Sequence, residues 1–183
     1  MGNKRKFLFC LFLSLFLLFI SSTIITAEDT ATQRVVMRVN PICIIRASNN
    51  PQPLVINPPI PGGELPPNAI DNTTYLQYSS TVALGQTRTI TAHWNPSDSS
   101  PAGCELFLQA VPSGSPNEGV SNGEILLSSF PHVLVRDIRS CATGTGSQNG
   151  ARLMYRLSVV NLEELNAGES RQATIIFTLT DGF

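Results

Sequence analysis

Lysine disappears from this chain after Lys6, and the two histidines, His93 and His132, stand alone. An intramolecular Lys–Asn isopeptide crosslink therefore cannot form beyond the first residues. No Cys-x-x-Cys or His-x-x-x-His spacing supports a zinc site, and no Gly-x-Ser-x-Gly elbow supports a serine hydrolase. No metal site, cofactor or catalytic constellation is expected, and the chain reads as non-enzymatic. Positive charge is also scarce. Once Lys4-Arg5-Lys6 is set aside, nine Arg face 13 acidic residues, so the basic footprint of a nucleic-acid binder is missing. Strong helical periodicity is absent, and a single long apolar run occurs, near the start.

That run, Phe7 to Ile20, comes after Lys4-Arg5-Lys6 and leads into Ser21-Ser22-Thr23 and Ile24-Ile25-Thr26-Ala27. Charged start, apolar middle and small-residue end form a secretory signal. It is expected to occupy residues 1–27 and to be cut after Ala27. The run is shorter than the ~20 residues that span a bilayer, so no stable membrane span is expected after cleavage. The mature part, 28–183, is expected to be one exported domain in the periplasm, at the cell surface or outside the cell.

Period-two alternation dominates the mature part, as in half-buried strands. In Arg171–Thr180, Ala173, Ile175, Phe177 and Leu179 share a face. In Ala151–Val159, Ala151, Leu153, Tyr155, Leu157 and Val159 do so. Arg34–Arg46 reads as the first strand or a bent pair of strands, with Pro41 at a bulge or edge because it lacks a ladder donor. Further strands are expected at 54–57, 73–82, 87–95, 104–111, 124–128 and 133–138, with a single helical turn over Leu162–Leu165. Pro and Gly signals separate them. The Pro-rich stretch 51–67 is expected to be a stiff extended crossover. The pattern predicts an all-β fold, an antiparallel immunoglobulin-like β-sandwich of seven to nine strands.

Export places Cys43, Cys104 and Cys141 in an oxidising space, where one disulfide is expected. If the strands of Cys104 and Cys141 run antiparallel as neighbours, their sulfurs meet at one end of the domain. The expected pair is Cys104–Cys141, worth ~3–4 kcal/mol by loop closure. Cys43 then remains a free thiol, buried on the apolar face of the first strand. Pairing of Cys43 with either of the others is the rival.

Arg34, Arg38, Arg152 and Arg156 recur at a spacing of four on outward faces. On neighbouring strands they would form a basic stripe able to contact a polyanionic polymer; the other reading is a charged sheet face that discourages edge aggregation. Asp71-Asn72-Thr73-Thr74 is oxygen-rich, but an Asx-type turn explains it as well as a calcium site does. Glu163-Glu164 are adjacent and do not converge. Asn72-Thr73-Thr74 is a glycosylation sequon. Trp94, Tyr75 and Tyr78 are the aromatic candidates for glycan recognition, with Trp94 expected in the core beside Ile90 and Ala92.

The start Arg34–Arg46 with Cys43, the strand Ala151–Val159, and Ala167-Gly168-Glu169-Ser170 with Ala173–Asp181 after it together resemble bacterial surface β-sandwich subunits. The resemblance is to the fimbrial and spore-coat-like pilin class assembled by chaperone and usher. It implies a non-enzymatic surface subunit with protein partners or self-assembly. The chain departs from that class in two respects: only Glu28–Gln33 precede the first expected strand, which leaves no evident donor extension, and the expected disulfide falls late. The alternative reading is an extracellular binding module for glycan or protein.

Overall fold

The computed structural model describes residues 31–57, 62 and 68–182, so the expected leader lies outside the described residues, as does most of the second half of the Pro-rich stretch. The chain divides into two compact units, 1–38 and 39–183. Of the first, residues 31–38 are exposed and carry neither helix nor strand.

The second unit is all-β with antiparallel pairing. Its strands are β1 (Cys43–Ala47), β2 (Asn68–Ser80), β3 (Arg88–Trp94), β4 (Cys104–Val111), β5 (Val120–Ser121), β6 (Glu124–Leu126), β7 (His132–Ile138), β8 (Cys141–Ala142), β9 (Ala151–Val159) and β10 (Ile175–Asp181). One sheet runs β1-β2-β9-β4-β6, with β8 also on β2; the other runs β10-β3-β7-β5. A single 3-10 turn, Leu162–Glu164, is capped by the Asn161 side chain accepting from the Glu163 amide. The expected range of seven to nine strands omits β5 and β8, whose two-residue pairings are too short to leave a periodic signal.

Alternation sets which side chains enter the core. Leu76 and Tyr78 of β2, Leu108 and Ala110 of β4, and Ala151, Leu153 and Tyr155 of β9 join Ile90 and Ala92 of β3 and Leu134, Val135 and Ile138 of β7 in one buried cluster. β7 breaks the rule of two. Its burial runs in doublets, because the register slips twice against β3. Leu134 and Val135 both turn inward; Arg136 and Asp137 both turn outward. Gly150, at φ +109°, lets the chain enter β9 where a Cβ would strike the Leu76 carbonyl.

Three expectations need correction. The first strand begins at Cys43, not Arg34: Pro41 has no amide to donate and restricts Asn40, so pairing starts after it. Ile42, at the boundary, is instead held to Thr81, its amide donating to the hydroxyl at 2.6 Å and its carbonyl accepting from the Thr81 amide at 3.0 Å. Residues 54–57 form no strand, since Pro51, Pro53 and Pro58 deny a ladder its donors. Finally, Cys104 and Cys141 are not paired. The strand before Cys141 lies in the other sheet from β4. Cys104 sits in the row of Val159, whereas Cys141 sits in the row of Ser80 at the opposite end of β2. At ~3.3 Å per residue they lie roughly 40 Å apart along the strands, far beyond disulfide reach.

On the outer side of the first sheet one arginine ties four strands. Arg156 of β9 donates to both carboxylate oxygens of Glu124 on β6, at 2.8 and 2.6 Å, and to Asn68 Oδ1 on β2 at 3.0 Å. Its guanidinium lies 4.2 Å from the ring centroid of Phe107 on β4. The Arg156 hydrogen bonds hold the Glu124 carboxyl below the ordinary carboxylate value, against a smaller opposing effect of burial. The pair is partly exposed, at 24 and 38 % of the side chains, so solvent screens it. Arg156→Ala should cost about 1–2 kcal/mol, combining a screened ion pair with a cation–π contact, and should lower Tm by several degrees. Because the folded-state value is depressed, the stabilisation is present above the ordinary carboxylate value and fades as pH falls through the folded one. Melting wild type and Glu124→Gln across pH should give a gap at neutral pH that closes in acid; a gap independent of pH would contradict the assignment.

Candidate interaction surface

Each sheet has two edges, and they differ in kind. β6 and β5, at one end of each sheet, are three and two residues long, and shortness itself limits pairing with another chain. β1 and β10, at the other ends, are five and seven residues long and read Cys-Ile-Ile-Arg-Ala and Ile-Ile-Phe-Thr-Leu-Thr-Asp. Neither contains proline or lysine. β1 pairs only with β2, β10 only with β3, and the two free edges approach each other.

The seam between them is closed at one end. Cys43 Sγ donates to the Leu179 carbonyl at 3.3 Å. Arg88, buried on β3, donates through Nε to Asp181 Oδ1 at 3.0 Å and through Nη1 to the Ile42 carbonyl. This one side chain fastens the start of β1 to the end of β10. At the start of β10 lies a groove of about 1140 Å³, lined by Leu54, Ile56, Trp94, Leu157, Leu165 and Ile175 among others; of the two edge strands, only Ile175 of β10 borders it. Trp94, expected in the core, packs against it only partly and forms part of this lining.

Ahead of β1, Val35, Val36, Met37 and Val39 are 65, 86, 88 and 84 % exposed. Four large apolar side chains within five residues, all open to solvent, are uncommon on a monomer surface. Reading Arg34–Arg46 as one strand conceals them, because it assigns their alternation to the sheet.

The expected site residues fall apart. Arg34 and Arg38 precede β1 and belong to no strand, and β2 stands between β1 and β9, so neighbouring strands do not assemble the four arginines into a stripe. Arg156 is committed to Glu124 and Asn68. Arg152 is exposed on β9. Cys43 is exposed rather than buried, because it opens an edge strand. Burial pushes the Cys104 and Cys141 thiols up, Cys104 further so by Glu169 and Cys141 by Glu118. Tyr78 is buried and its hydroxyl donates to the Glu118 carbonyl at 2.5 Å, which removes it as a glycan platform.

Asp71 lies within β2 and is buried, not in a loop before the strand. Its Oδ1 accepts from Thr73 at 2.8 Å, while Oδ2 and Thr74 Oγ1 are buried without partners. Among the described residues no three His, Cys, Asp or Glu side chains cluster as metal ligands. His132 Nε2 lies 2.9 Å from Ser128 Oγ, which also accepts from the Phe130 amide at 3.1 Å; the contact clasps the turn between β6 and β7.

No family model, curated protein or solved structure matches this chain.

The thiols give a direct check. In the folded, oxidant-free chain lacking residues 1–27, a soluble alkylating reagent should modify exposed Cys43 first, half-buried Cys141 more slowly, and buried Cys104 only on unfolding. Mass spectrometry of the intact protein should count one fast adduct, and three after denaturation. A protected Cys43 would contradict the open edge at β1.

Proposed function

We propose that this protein is an exported, non-enzymatic structural subunit of the cell envelope or surface, built as an immunoglobulin-like β-sandwich, that assembles by adding a strand from one copy to an edge of the next. One observation carries the reading: two apolar strand edges, β1 and β10, have no partner strand of their own, and a groove lies at the start of β10, in a chain that also exposes Val35, Val36, Met37 and Val39. An extended segment placed along the free edge of β10 would gain main-chain hydrogen bonds, with the side chains that fall beside Ile175 reaching the groove. In Arg34–Val39, Val35, Met37 and Val39 fall on one face of such a strand and Arg34, Val36 and Arg38 on the other.

This supports the resemblance to chaperone–usher subunits on the very point where the sequence departs from them. With the first strand starting at Cys43, the expected mature chain has residues 28–42 ahead of it, long enough to act as a donor.

The test is self-association of the chain lacking residues 1–27, measured by light scattering over a range of concentrations. Wild type should form oligomers. Met37→Asp combined with Val39→Asp should stay monomeric with an unchanged Tm, since both side chains are exposed and support no core. A wild-type protein that remains monomeric at every concentration, or a double variant that assembles equally well, would overturn the proposal.

A further inference from the structure

We propose that the outer face of the second sheet is a binding site for a neutral sugar, independent of the strand-addition reading. That face holds a concavity of about 370 Å³, at the small end of the range for ligand sites. Its wall and floor include Thr89 and Thr91 of β3, Thr180 of β10, Asn122 after β5, and Arg136 and Asp137 of β7. β-Sheet register places these groups together. Thr89 is the row partner of Thr180, and the two residues Arg136 and Asp137 oppose Thr89 across a bulge.

The bulge is what makes the face unusual. In a regular strand one of two consecutive residues would point into the core. Here Asp137 adopts φ 61°, the one positive φ outside glycine among the described residues. Both charged side chains thereby stand outward over the concavity, while Val135 and Ile138 on either side remain buried. Bulges re-aim side chains in this way beside binding sites, and an observed backbone outlier of this kind points to function.

The chemistry selects the ligand class. Arg136 Nη1 donates to Asp137 Oδ2 at 3.1 Å, so the two charges balance and favour an uncharged ligand. Both side chains remain about half exposed and can turn to a ligand. A carboxylate oxygen accepts hydroxyl protons from a vicinal diol, and the guanidinium donates to hydroxyl or ring oxygens. The Asn122 amide keeps one proton free after donating to the Val133 carbonyl at 3.2 Å. Threonine hydroxyls donate or accept as the ligand requires, and Val133 offers methyl groups to the C–H face of a sugar ring.

The experiment is a titration of the isotopically labelled chain with methyl glucoside, methyl galactoside and methyl mannoside, read by amide chemical shifts. At least one should bind with Kd on the order of millimolar, with shifts confined to Thr89, Thr91, Asn122, Arg136 and Asp137. Asp137→Asn, which tolerates the same backbone conformation, and the near-isosteric Thr91→Val should each weaken binding about tenfold or more. Asp137→Gly, which relieves the positive φ, should abolish binding while Tm holds or rises; this separates a lost site from a lost fold. Absence of saturable shifts with all three sugars, or equal affinity in the variants, would overturn the proposal.

Discussion

Two strand edges without partners, brought together by the first and last strands of the domain, are the constraint around which the rest of the structure is arranged. Every backbone donor and acceptor along a strand must find a partner or face water. At the far ends of both sheets the chain meets that requirement by keeping β5 and β6 very short. At β1 and β10 it does not, and the core behind them, at Ile45, Ile175 and Phe177, is only partly buried. Arg88 and Cys43 hold the seam together at one end, and the groove lies at the start of β10, beside Ile175. The groove and Val35, Val36, Met37 and Val39 leave apolar surface in water, and mutual burial between copies is a direct way to remove it.

The two faces of the domain divide their tasks. The outer side of the first sheet is a staple, in which Arg156 links β2, β9, β4 and β6 through charge and ring contacts. Across the molecule, the outer side of the second sheet is hydroxyl-rich, with a balanced ion pair lifted outward by a bulge. An assembly formed through the β1–β10 seam would leave both outer faces free, so the two proposals do not exclude each other in one copy.

Most of the strands are legible in the sequence because their alternation is complete. Cys104–Val111 and Ala151–Val159 fall where their spacing places them; β3 is shorter than expected by a residue at each end, and β7 is longer by one at its start. The illegible parts depend on physics that alternation does not encode. A strand pattern also describes an extended segment with no partner, so periodicity alone merges Arg34–Val39 with β1 and hides the donor-like segment, although Pro41 marks the break. Bulges invert the rule of two, so the outward doublet Arg136–Asp137 leaves no periodic signal. Strand order is set by tertiary packing rather than by local pattern. Cys104 and Cys141 would meet only if sequential strands were neighbours; β4 and β7 lie in different sheets. Among the residues that the sequence singles out, Arg156 and Trp94 do carry structural weight, in an interstrand staple and a groove wall.

Amide hydrogen exchange of the chain lacking residues 1–27, read by mass spectrometry at low and high protein concentration, tests the central claim most directly. Strand addition between copies predicts that peptides covering residues 34–42 and β10 gain protection together as concentration rises, while β5 and β6 do not change. Exchange at residues 34–42 that stays fast at every concentration, with β10 equally unaffected, would contradict it.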